Sequence, residues 1–189
     1  MSHAHLTVAG ALWPAKQNSL ARNAVLAVLG SLVLALSAKL SVPFWPVPVT
    51  MQSLVVLGLG AAYGWRLAGA TIALYLLEGA VGLPVFASGA GLAYMAGPTG
   101  GYLAGFLLSA MLVGYLAEKG ADRHWLTMFG AMIAGAALVY VPGVLWLAGL
   151  IGMDKAVAFG LVPFLLGDVL KAALAAAVFP AIWQLLGRR

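Results

Sequence analysis

Two ionisable residues stand in the middle of an apolar run: Gly167-Asp168-Val169-Leu170-Lys171, with leucine, valine and alanine on both sides. In a helix, positions i and i+3 share a face, so the carboxylate and the ammonium point the same way. Charges at membrane depth are costly, and a functional site is the default hypothesis for them. An aspartate accepts hydrogen bonds and a lysine donates them, so together they suit a ligand that carries both kinds of polar group. The competing reading is that the two neutralise each other and pin helices together. A helix that starts outside near Gly160 places them roughly 12 to 17 Å below its start, near the middle of a ~30 Å hydrocarbon core.

Other positions offer weaker chemistry. Gln52 supplies an amide near the outer end of one apolar run, and Tyr75 and Glu78 face inward from the next. All three also serve as ordinary helix-to-helix hydrogen-bonding groups. No Gly-x-x-x-x-Gly-Lys-Ser/Thr segment is present, so the chain has no phosphate loop with which to hydrolyse ATP. Gly58, Gly60 and Gly64 lack the strand-turn-helix context of a dinucleotide site and read as close-packing positions. His3, His5 and His124 lack metal-site spacing, and no nucleophile has a positioned base. With no cysteine, neither disulfides nor thiolate chemistry enter. No enzyme, metal centre or resident cofactor is expected.

The elements that position these residues follow from composition. The 189 residues are 63% hydrophobic and 8% charged, against about 25% charged in a soluble domain; mean hydropathy is +1.03. The expected fold is an all-α integral membrane protein of six transmembrane helices, near 21–40, 50–64, 67–82, 101–117, 125–148 and 162–186. The second and third are short and read as tilted crossings or a re-entrant pair. Residues 1–20 form an N-terminal cytoplasmic segment without a cleavable leader, and 21–189 a single domain. Lys16, Arg22, Arg66, Lys119, Arg123, Arg188 and Arg189 fall on one face, whereas Lys39 and Lys155 fall on the other. Positive charge marks the cytoplasmic side, so both termini face the cytoplasm of a multi-pass cell-membrane protein. This asymmetry and anionic lipid account for the net charge of +5 without nucleic acid.

The external connections are unusual. Ser41 to Gln52 contains Pro43, Pro46 and Pro48, which stiffen an extended backbone presenting Phe44 and Trp45. It reads either as a lid or as an interfacial turn with an aromatic anchor. Gly79 to Gly101 is long, glycine-rich and apolar, which predicts an ordered cap over a cavity, with Phe86 and Tyr94 as flat walls. On the helices, Ala27, Ser31 and Ala35 recur every four residues, as do Gly101, Gly105 and Ser109, a spacing that lets helix backbones approach.

Four motifs in this order, Val47-Pro48-Val49-Thr50-Met51-Gln52, Gly82-Leu83-Pro84-Val85-Phe86, Gly97-Pro98-Thr99-Gly100-Gly101-Tyr102 and Gly167-Asp168-Val169-Leu170-Lys171, make the chain resemble the BioY family from about Arg22 to the last span. BioY proteins are the biotin-binding S components of energy-coupling factor (ECF) vitamin transporters. The resemblance implies a six-helix bundle that captures biotin from outside, with Asp168 and Lys171 contacting the vitamin. It leaves open which polar end of biotin Lys171 meets. Biotin is then transported ligand rather than cofactor, and Gln52, Tyr75, Glu78, Phe86, Tyr94 and Trp45 are candidate pocket residues beside the charged pair. Glu78 departs from the uncharged residue expected there. It is either protonated, turned to external water, or in contact with the ureido N–H groups. Lys39 is a candidate partner for the vitamin's carboxylate. The resemblance further implies a transmembrane coupling (T) component and paired ATPases as partners, or a homo-oligomer if the protein works alone. Ala24, Ala27, Ser31 and Ala35 are the docking counterpart, with internal packing as the equal alternative. A proton-coupled carrier using Asp168 and Glu78 is the second functional reading, and an intramembrane enzyme the third.

Overall fold

In lipid every backbone polar group must be satisfied within the chain, so apolar runs of this length become helices. The computed structural model describes residues 7–14 and 20–187. His3, His5, Lys16, Arg188 and Arg189 lie outside the described residues. Helices α1 (Val8–Leu12), α2 (Leu20–Lys39), α3 (Gln52–Tyr63), α4 (Trp65–Ala80), α5 (Gly91–Met95), α6 (Gly100–Glu118), α7 (Trp125–Ile151), α8 (Met153–Gly160) and α9 (Val162–Leu185) follow in order, with strands β1 (Ser41–Val42) and β2 (Val49–Thr50) between α2 and α3. The six expected spans correspond to α2, α3, α4, α6, α7 and α9. Of these, α2, α6, α7 and α9 are long and apolar enough to cross a bilayer, α9 together with the preceding α8.

The short second and third spans form a helical pair, α3 of 12 residues and α4 of 16. Gly64 joins them at φ 78°, a left-handed conformation that glycine adopts without the usual Cβ penalty. Four elements lay beyond the hydropathy reading. Inside the segment assigned to the N-terminal tail, α1 is capped by Thr7 Oγ1, which accepts from Gly10 N–H at 3.2 Å, and packs its buried Val8 and Ala9 against the bundle. The proline-rich connection folds as a hairpin of two short strands, β1–β2, Ser41 opposite Thr50 and Val42 opposite Val49. The glycine-rich cap contains α5, and the seventh helix reaches the ninth through α8 rather than an open turn.

Small residues set the close packing. A Cβ on Gly105 would lie 2.7 Å from Val139 O, and one on Gly60 2.6 Å from Ala110 O, so α6 touches α7 and α3 at backbone distance. The Gly101/Gly105/Ser109 face is thus the contact with α7. The Ala27/Ser31 face of α2 turns inward as well: Ala27 and Ser31 are buried, and Ser31 Oγ donates to Glu78 Oε1 of α4 at 3.0 Å. For Ala27 and Ser31 this favours internal packing, the alternative to docking. Ala27 and Ser31 pack α2 on α4, Ala35 is half-buried beside the core, and only Ala24 is exposed. The outward face of α2 carries Val25, Val28, Leu29, Leu32, Val33 and Leu36, because large apolar side chains are free to meet lipid while small ones permit the helix contact.

Candidate functional site

Asp168 lies a turn and a half into α9 and is buried. Its Oδ1 accepts from Ser53 Oγ at 3.0 Å and from Lys171 Nζ at 3.0 Å, and its Oδ2 accepts from Tyr140 Oη at 2.5 Å. Lys171 Nζ donates also to Ser53 Oγ at 2.8 Å and to Thr50 O at 3.0 Å. Three partners use all three N–H donors of an ammonium. The pair is therefore closed by salt bridge, yet it is fixed to the start of α3 and to α7 rather than merely to itself. Its net charge is zero, so the site suits a neutral polar group.

Asp168 lines a cavity of about 560 Å3, mouth included, together with Thr50, Gln52, Ser53, Phe86, Tyr94, Tyr102, Phe106, Tyr140 and Phe164. This size lies within the range of small-molecule sites, as does the balance of mostly apolar walls with few polar groups. Tyr140 is held among rings, 6.4 Å by centroid from both Tyr102 and Phe164. Tyr102 Oη in turn donates to Gly160 O at 2.8 Å, tying α6 to the end of α8.

The outer wall is built by the glycine-rich cap. Phe86 stacks on Tyr94 at 5.1 Å and meets Tyr75 edge-on at 5.4 Å. Its ring occupies the space that a Cβ on Gly79 would fill. Lys39 Nζ donates to Phe86 O at 2.6 Å, Tyr75 Oη to Val85 O at 3.1 Å and Trp146 Nε1 to Gly97 O at 2.9 Å. Three helices thus grip the cap through its backbone carbonyls.

Of the residues singled out from sequence, Asp168, Gln52, Phe86 and Tyr94 line the cavity, and Lys171 is bonded to Asp168 beside it. Tyr75 stands behind Gln52, whose Nε2 donates to Tyr75 Oη at 2.8 Å. Two positions belong elsewhere. Glu78 accepts from Ser31 Oγ of α2 and is not among the cavity-lining residues. Trp45 sits at the tip of the hairpin, 70% exposed, with an edge contact to Phe159 at 6.4 Å, and is not among the cavity-lining residues. Lys39 meets a cap carbonyl rather than the cavity. Tyr140 and Ser53 were not singled out from sequence, although a phenol in mid-span and a hydroxyl next to Gln52 were the signals available.

Comparisons with known proteins agree with one another. A sequence model of the BioY family matches residues 7–188. The biotin transporter BioY of Thermotoga maritima is 37% identical over 159 residues, 83% of this chain and 93% of that protein. The probable biotin transporter BioY of Pyrococcus horikoshii is 34% identical over 145 residues, 76% of this chain and 85% of that protein. Among solved structures, the S-component for biotin from an ECF-type ABC transporter superposes with a TM-score of 0.73 at 21% identity, covering 90% of this chain and 95% of that one.

Proposed function

The chain belongs to the BioY family, and on that premise we propose that it is the membrane subunit that captures biotin from outside the cell for uptake, with the cavity beneath the glycine-rich cap as its binding site. The observation that carries this reading is the Asp168 carboxylate, buried in the wall of a mostly apolar cavity and held by Ser53, Lys171 and Tyr140.

The chemistry selects one orientation. Biotin's carboxylate set against Asp168 would place like charges in a poorly solvated site, which is strongly unfavourable. Its ureido ring carries two N–H donors, and a carboxylate has about four acceptor positions, three of them used by the protein. The ureido end therefore goes to Asp168, and the fatty-acid end toward the mouth. Gln52 has a second amide N–H beyond the one given to Tyr75, suited to the ureido carbonyl. Phe86, Tyr94, Phe106 and Phe164 enclose the thiophane ring and the alkyl chain. No cofactor enters this step, since biotin is cargo.

The protein binds and releases rather than transforms; it is a transport component and not an enzyme. Energy comes from separate subunits, a transmembrane coupling component with paired ATPases, or transport proceeds through a homo-oligomer where those are lacking. A proton relay between Asp168 and Glu78 finds less support, because Glu78 faces α2 and is not among the cavity-lining residues.

Binding of radiolabelled biotin to the purified protein tests the reading. Saturable binding far tighter than millimolar is expected, and Asp168→Asn with Lys171→Met should weaken it by at least about tenfold, the loss of one or more charge-assisted hydrogen bonds. Affinity of only millimolar, or unchanged in the double variant, would count against it.

A further inference from the structure

A second cavity lies at the opposite, cytoplasmic end of the bundle. It is about 900 Å3 with its mouth and is lined by Thr7, Ala9 and Gly10 of the α1 region, Arg22 and Asn23 of α2, Tyr63 of α3, and Arg66, Leu67 and Ala70 of α4. No carboxylate is among these lining residues. Glu118, on the neighbouring α6, has its Oε1 directed to the backbone N–H of Trp65 at 3.2 Å. Arg22 Nη2 donates to Ala9 O at 3.0 Å, which fixes α1 as one wall. Tyr63 Oη donates to Leu26 O at 3.0 Å, fixing α3 to α2. Arg66 is exposed, its guanidinium 5.0 Å from the Trp65 ring.

Arg22 of α2 and Arg66 of α4 line this one cavity, at the end of the bundle that the basic residues mark as cytoplasmic. Planar guanidinium forks match phosphate oxygens, and basic pockets between helices on this side suit anionic headgroups. Shape separates a lipid from a soluble anion. Ala70 lines the cavity and is itself exposed, and Ala73 and Leu77 continue the same exposed face of α4 toward the membrane interior. The cavity opens onto an apolar strip with small residues next to it, which a free phosphate does not need and an acyl chain does.

We propose that this cavity seats the phosphate-bearing headgroup of an anionic inner-leaflet phospholipid, with Arg22 and Arg66 as its cations and the Ala70-Ala73-Leu77 face as the track of an acyl chain. The bound lipid would hold α1 against the start of α2 and α4.

Native mass spectrometry of the full chain, with dioleoyl phosphatidylglycerol, dioleoyl phosphatidylcholine and inorganic phosphate offered separately, tests it. Phosphatidylglycerol should be retained over phosphatidylcholine, and Arg66→Gln should lower that preference by about fivefold, the effect of one basic side chain near an anionic surface. Ala70→Trp, which blocks the track and leaves charge unchanged, should lower it too. Biotin binding serves as the folding control for both variants, and Arg66→Lys, which keeps the charge, should retain part of the preference. Equal retention of the two lipids, or an unaltered preference in Arg66→Gln, would overturn the proposal. So would displacement of phosphatidylglycerol by millimolar inorganic phosphate, or an acidic coupling-protein segment crosslinking at Arg66 irrespective of lipid.

Discussion

At the scale of single residues, the charged pair was legible because nothing else in residues 162–186 is ionisable. What holds it was not. Ser53 and Tyr140 contribute hydroxyls, and hydroxyls in spans commonly bond to their own helix, as Ser37 and Thr71 do here. Only the fold brings α3, α7 and α9 to one point. Tyr140 donates to Asp168 Oδ2 and lines the cavity, so its removal leaves the carboxylate less well fixed. Tyr140→Phe is expected to weaken biotin binding by about three- to tenfold, the net worth of one hydrogen bond, while circular dichroism stays unchanged. A measured affinity equal to wild type would show that Tyr140 only packs. Glu78 was misplaced by the sequence reading for a plain reason: its proximity to Tyr75 in the chain says nothing of the α2 helix that claims it.

Helix positions were legible from hydropathy to within a few residues, since a bilayer fixes how long an apolar run must be. The direction of small residues was not. Small side chains at every fourth position mark contact, yet α2 uses them inward against α4 and turns large residues out. The α6 stripe has the same internal use, and Gly105→Leu would push its side chain into the α7 backbone at Val139. Overpacking of this kind costs about 1–3 kcal/mol, and a lower melting temperature in detergent should register it. Another contact ties elements at the end of the bundle where α6 turns into α7. The short 3-10 turn Ala121–Arg123 places buried Asp122 so that its carboxylate accepts from Trp183 Nε1 of α9 at 2.5 Å, with Arg123 Nε 3.7 Å away. The Arg123 guanidinium lies 3.5 Å from the Trp183 ring centroid. Burial lifts the Asp122 carboxyl above its ordinary 3.8, against the lowering effects of Trp183 and Arg123. A carboxyl with a raised folded-state value contributes its stability below its unfolded value, and loses it as pH rises through the folded one. Asp122→Asn keeps an acceptor for Trp183 and does not ionise. Its melting temperature should therefore gain on wild type as pH is raised from about 4 to 8. A gap that narrows with rising pH would reverse the assignment.

For the molecule as a whole, composition was enough to put it in the membrane. The family followed from four motifs, three of which fold around the cavity's outer half. What composition could not give is uneven height around the body. The 12 residues of α3 and 16 of α4 extend about 18 and 24 Å, whereas the 27 residues of α7 and 24 of α9 extend about 40 and 36 Å. The apolar surface that α4 offers to lipid is thus shorter than that of α7 or α9. Lipid must thin beside α4, or the whole body must lean, to relieve the mismatch. In vesicles of graded acyl-chain length, the melting temperature is expected to peak in a bilayer thinner than the ~30 Å that suits an ordinary span. A peak at greater thickness would mean that the tall flank alone dictates the fit.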